Sequence, residues 1–135
     1  MHIPVDSAAQ IGAVLRLVRK TQGVRSDDLA GSAGVGPVFV LDVERGKPTI
    51  QLGKVLQVLQ EAGIRVNLEI PDNLSLDALP KGPKKRTVWQ SLMAILGRNG
   101  SEAWAQSVAQ SIAGRALHGH EPAASETSAQ AKSHG

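Results

Sequence analysis

The chain has 135 residues, a formal charge of +3 and a pI near 9.6, which gives room for one compact domain and an appendage with a mild excess of positive charge. It contains no cysteine, which excludes disulfides, thiol catalysis and cysteine-type zinc sites. No apolar run approaches membrane-spanning length and the opening MHIPVDSAAQ has no apolar signal core, so a cytoplasmic, nucleoid-associated protein without a membrane partner is expected.

Ser7-Ala-Ala-Gln10 reads as a capping box that opens a helix of about four turns, in which Ile11, Val14, Leu15 and Val18 recur at helical spacing until Gly23. Arg16, Arg19 and Lys20 fall near its C-terminal end. Ser26 is suited to cap a second helix with Asp27 and Asp28 in the first turn, where the helix dipole favours negative charge, and Gly34 ends it. After Val35, Gly36 and Pro37 open a third helix that runs to about Glu44, since proline at the first helical position loses no intrahelical bond. Val40 and Val43 then face inward with Leu29, Ala30 and Val35, and Gly46 stops the helix. Two short helices about a glycine turn form the helix-turn-helix pattern, whose second helix enters the major groove of DNA.

Leu52, Val55, Leu56 and Leu59 define a further amphipathic helix ended by Gly63. The period then changes, because Ile64, Val66, Leu68 and Ile70 alternate with Arg65, Asn67 and Glu69 as in a half-buried strand, closed by Pro71 and Asp72. One strand is not stable alone. Pairing with the same strand of a second copy is therefore expected, which makes the protein a homodimer.

Residues 6–72 resemble the Cro/lambda-repressor (XRE) type of helix-turn-helix regulator, and within it the HipB-type antitoxins. The segments IGAVLRLVRKTQG, DDLAGSAGVG, VERGKPT and LGKVLQVLQEAGIRVNL carry the resemblance. It implies a dimeric antitoxin that binds double-stranded operator DNA, represses its own operon and engages a HipA-type serine/threonine kinase toxin. Carried over by position, Arg19 matches a helix-one arginine paired with the glutamate at Glu44, where the alternative is two exposed charges. Ser26 matches a phosphate-touching glutamine, and Arg25 stands where a threonine cap is usual.

The recognition helix departs from this pattern. Related regulators place hydrogen-bonding residues at the positions of Gly36, Pro37, Val38 and Asp42, because base edges are read by donors and acceptors. Proline and valine can touch only a thymine methyl, and Asp42 can accept from a cytosine amino group but is repelled by phosphate. Three consequences compete: backbone amides and DNA shape supply specificity; Arg45, Lys47, Thr49 and Gln51 in the following loop read the bases; or the chain mainly holds a partner protein. Between Met1 and Pro71, eight basic side chains face seven acidic ones, a balance of +1, so binding depends on where the charges sit.

The basic Pro/Gly run with Lys81, Lys84, Lys85 and Arg86 reads as a solvated linker or as an arm adding phosphate contacts. Val88, Trp89, Leu92, Met93 and Leu96 predict a helix. Ser101 is placed to cap another with the stripe Trp104, Val108, Ile112 and Leu117. Trp89 and Trp104 either pack within this hairpin or dock a partner. The tail EPAASETSAQAKSHG lacks large apolar residues and reads as disordered.

Enzymatic readings fail on spacing. His118 and His120 lack further ligands, GSAGVG follows no strand and precedes no Lys-Ser/Thr, and no nucleophile sits beside a base. No catalytic residue, metal or cofactor is expected. The sequence thus predicts a mainly α chain: a lambda-repressor-like helix-turn-helix bundle with one dimer-pairing strand over 1–72, a linker over 73–86, a helical hairpin over 87–119 and a tail over 120–135. DNA contacts are assigned to Arg16, Lys20, Arg25, Ser26, Gly36, Pro37, Val38, Asp42, Arg45 and Lys47. A protein-interaction module, or a stand-alone repressor with no toxin, is the alternative.

Overall fold

The computed structural model describes residues 1–79 and 87–118, with side chains as far as Arg115. The run Lys81, Lys84, Lys85 and Arg86, the side chains of Leu117 and His118, and the tail with His120 lie outside the described residues. The chain forms two compact units, Met1–Leu68 and a second that opens at Glu69.

The first unit holds four helices: α1 (Ala8–Thr21), α2 (Ser26–Ala33), α3 (Pro37–Glu44) and α4 (Leu52–Glu61). α1 is capped as expected, because Ser7 Oγ accepts from the Gln10 amide at 3.2 Å and Gln10 Oε1 accepts from the Asp6 amide at 2.7 Å. All four helices end in one device, a glycine with positive φ followed by an amide that donates five residues back. The donors are Val24 to Arg19 (3.2 Å), Val35 to Ala30 (3.0 Å), Lys47 to Asp42 (3.1 Å) and Ile64 to Leu59 (2.8 Å). Val24, Val35 and Ile64 turn from there into the core, but after α3 the same place holds Lys47, which stays exposed. This helix end therefore lacks the apolar contact that follows the other three.

Leu15, Leu29, Ala30, Val40, Val43, Val55, Val58, Leu59 and Ala62 form the core of this unit. α3 packs on both α1 and α2, and α2 also packs on α4. Gln22 Nε2 donates to the Ala62 carbonyl at 3.1 Å and so ties the end of α1 to the end of α4. The arrangement is the lambda-repressor-like helix-turn-helix bundle. One expectation is not borne out within the described residues. Among the described residues there is no strand, and Val66, Leu68 and Ile70 are 54%, 86% and 42% exposed, while Ile64 alone packs on the core. A strand exists only with a hydrogen-bonded neighbour, and the described residues supply none.

The helical cap of α2 is a second correction. Ser26 is the first helical residue, and Arg25 is the cap, with extended backbone and no capping side chain. The Arg25 carbonyl accepts the first helical bond, from Leu29 at 3.0 Å, because burying Val24 brings the chain to its helical path one residue early.

The second unit contains a short turn at Leu76–Ala78, then α5 (Val88–Leu96) and α6 (Glu102–His118), which pack as the expected hairpin. Thr87 and Gln90 close a reciprocal capping box at 3.2 and 3.0 Å, and Ser101 Oγ accepts from the Trp104 amide at 3.2 Å. The apolar stripe of α6 differs from expectation. Ser91, Leu92, Ala105 and Ala109 are buried, whereas Trp104 is 51% exposed. Alanines let the two helices approach closely, and an indole is too large for that gap. Its ring lies instead over Gly100, where an added Cβ would stand 2.2 Å from it. Trp89 is exposed as well.

Candidate nucleic-acid interface

The turn between α2 and α3 is built by Gly34, whose φ of +73° is open to glycine at little cost. Val35 buries its side chain against the core and reverses the chain, so that extended Gly36 can cap α3 and Pro37 can begin it. No side chain caps α3, so the amide of Val38 has no intrahelical acceptor. The inner face of α3 is sealed by Val40 and Val43. Its outer face carries Val38, 64% exposed, then Asp42 one turn on and Arg45 beyond it.

Three contacts fasten the far end of α3 to α1. A Cβ at Gly12 would lie 2.1 Å from the Val43 carbonyl oxygen, and one at Gly46 would lie 2.7 Å from Ala9 Cα. The two backbones are therefore as close as glycine allows. The third contact is the ion pair between Arg19 and Glu44, at 2.5 Å from Nε to Oε1 and 3.0 Å from the second nitrogen to Oε2. Arg19 Nη1 also donates to the Val24 carbonyl at 2.9 Å. One guanidinium thus joins α1, the loop before α2, and α3. The side chains are only 9% and 4% exposed, so the alternative of two exposed charges is excluded. Hydrogen bonding to Glu44 raises the Arg19 pKa above its ordinary value, burial opposes the rise, and attraction to the same carboxylate adds to it.

The remaining assigned residues spread around this core. Arg16 shares the stripe of α1 that holds Ala9, Gly12 and Arg19, by helical spacing, yet is exposed. Lys20 is exposed one turn on. Arg25 is exposed and pairs with Asp27 at 3.2 Å, and Ser26 is half-buried at the start of α2. Gly36 and Pro37 are exposed at the opening of α3. Lys47 Nζ stands 3.8 Å from Asp42 Oδ2, which offsets the one acidic charge on the outer face. The structure thus sets Val38, Asp42 and Arg45 along the outer face of α3, with Lys47 beside Asp42.

Beside α3 lies a cation to which sequence reasoning gave no role. Lys54 of α4 has its ammonium 6.0 Å from the centre of the Phe39 ring, which steers it toward the opening of α3. No local pattern links positions fifteen apart on different helices. Among the described residues there is no cluster of three potential metal ligands, and no helix is long and apolar enough to cross a membrane.

No protein-family model matches the chain. It is 54% identical over 67 residues to the uncharacterized HTH-type transcriptional regulator y4mF of Sinorhizobium fredii (strain NBRC 101917 / NGR234), a match that spans 50% of this chain and 88% of that protein. Two solved structures, a HipA-HipB-O2-O3 complex and a protein named MDT Protein, are each 20% identical with a TM-score of 0.49, over 51% of this chain and 97% of theirs.

Proposed function

Since the chain belongs to the helix-turn-helix (HTH) type transcriptional regulators, we propose that it is a non-enzymatic, homodimeric repressor that binds operator DNA in the cytoplasm through α3. The carrying observation is that α3 is sealed on its inner face and fastened at its far end, while its opening and outer face stay exposed. Such a helix can enter a major groove without giving up any core contact. Exposed Arg16, Lys20, Arg25, Arg45, Lys47 and Lys54 supply phosphate contacts around it. The segment with Val66, Leu68 and Ile70 is the proposed pairing surface between two copies, since its apolar side chains stay exposed among the described residues.

The sequence resemblance to HipB-type antitoxins extends the proposal to an antitoxin that restrains a HipA-type kinase and represses its own operon. The hairpin with exposed Trp89 and Trp104 is a suitable partner-binding element. Fluorescence anisotropy with a duplex from upstream of its own gene tests the DNA role. Affinity for that duplex well above random DNA at equal salt supports it, and equal affinities overturn it. A pull-down with a kinase-like protein encoded beside it tests the antitoxin role. Truncation after Asp72 separates the halves, since loss of the kinase with retained DNA binding assigns the partner to the hairpin.

A further inference from the structure

The outer face of α3 has an unusual chemistry for a helix that meets base edges. It consists of Pro37, Val38, half-buried Leu41, Asp42 and Arg45, so no neutral hydrogen-bonding side chain lies on it. A single exposed valine needs no explanation on a protein surface. Val38, however, stands at the opening turn of the helix-turn-helix unit, 64% exposed, while Val40 and Val43 on the same helix are 0% and 3% exposed. Its exposure does not come from a loose core.

We infer that Val38 reads a thymine through the 5-methyl group, so that each half-site of the DNA bound by this chain carries a thymine at one fixed position. The inference rests on the DNA-binding reading above and names what that site recognises. In the major groove only thymine among the four bases carries a methyl group, and an apolar side chain is its natural partner. A β-branched valine in a helix keeps essentially one χ1 rotamer, so its two methyl groups form a fixed surface that loses little freedom on contact. Asp42 lies one turn further on, about 6 Å along the axis, and Lys47 at 3.8 Å offsets its charge. The valine can therefore approach the groove without an uncompensated carboxylate being driven against phosphate.

The test starts from duplexes selected out of a randomised pool with the full chain, then remade with deoxyuridine, which lacks the methyl group but pairs as thymidine does. Selected half-sites share a thymine, and replacing it lowers affinity about fourfold per half-site, the equivalent of one buried methyl at about 0.8 kcal/mol. Val38→Ala weakens binding to the thymidine duplex and leaves less than a twofold difference between the thymidine and deoxyuridine duplexes. Selected sites without a shared thymine, no loss with deoxyuridine, or a V38A variant that keeps the full difference would each overturn the inference. If the pool yields no bound duplex, the DNA-binding reading falls with it. Bound duplexes indifferent to deoxyuridine sink the methyl reading alone.

Discussion

Replacing Arg19 by methionine is the most direct test of how the interface is held. Methionine keeps an apolar stem along α1 but strips both nitrogens from Glu44 and a third from the Val24 carbonyl. An exposed pair would contribute about 0 to 1 kcal/mol. With side chains 9% and 4% exposed, Glu44 is instead left as an uncompensated buried charge, which costs about 3 to 5 kcal/mol. That is a large part of the about 5 to 15 kcal/mol that stabilises a typical domain. Both tryptophans lie in the second unit, so fluorescence does not report on this one. Hydrogen–deuterium exchange of the α1 and α3 amides does, and a loss of about 3 kcal/mol accelerates it by about two orders of magnitude. Acceleration of less than about fivefold would correspond to a surface pair and refute the reasoning. Replacing both partners by methionine should restore part of the loss. The raised Arg19 pKa fixes the pH dependence. A raised folded-state value gives stability that is complete below the unfolded value and lost only as pH rises through the folded one, both far above neutrality. The Arg19 contribution should therefore stay constant between about pH 6 and 9.

Gly46→Ala combines a left-handed backbone at φ +78° with overlap against Ala9, and should cost more than about 2 kcal/mol in thermal melts. Gly53→Ala, in α4 with open space around its Cβ, should gain about 0.5 to 1 kcal/mol, and a loss there would contradict the described packing. Lys47→Ala should weaken DNA binding on all sequences and lower the slope of log affinity against log salt by about 0.9, as seen by anisotropy; an unchanged slope would remove Lys47 from the phosphate contacts. Leu68→Glu should raise the dimer dissociation constant at least about tenfold in sedimentation, since a carboxylate would be buried in the pairing segment. No change would move the pairing surface elsewhere.

The four helices of the first unit were legible because each break is written locally. Gly23, Gly34, Gly46 and Gly63 each stand where a left-handed residue ends a helix, and Gly36-Pro37 marks the start of α3. Position by position, Arg19 and Glu44 came from resemblance rather than from spacing, since no local pattern links residues 25 apart. The alternation over Ile64–Ile70 reads as a strand from period alone, but a strand also needs a hydrogen-bonded neighbour, which the described residues do not supply. The Ser26 cap shifted to Arg25 because burial of Val24 outweighed the better capping side chain. In α6 the rule that large apolar residues face inward failed at Trp104, where the closeness of two helices favoured Ala105 and Ala109. The nearness of Gly12 to Val43, and of Lys54 to Phe39, follows from tertiary packing alone.

The glycine contacts between α1 and α3 set a steric stop under the eight-residue rod proposed to enter the groove. With no room to sink and an ion pair against lifting away, its tilt is not a free variable. Binding preference can then drift only through swaps at the outward positions 37, 38, 42 and 45, which leave the scaffold untouched, whereas any side chain at position 12 would displace the whole reading edge. Durability and legibility of the code are thus assigned to opposite sides of one helix, and the outward side is where diversity among kindred regulators should concentrate.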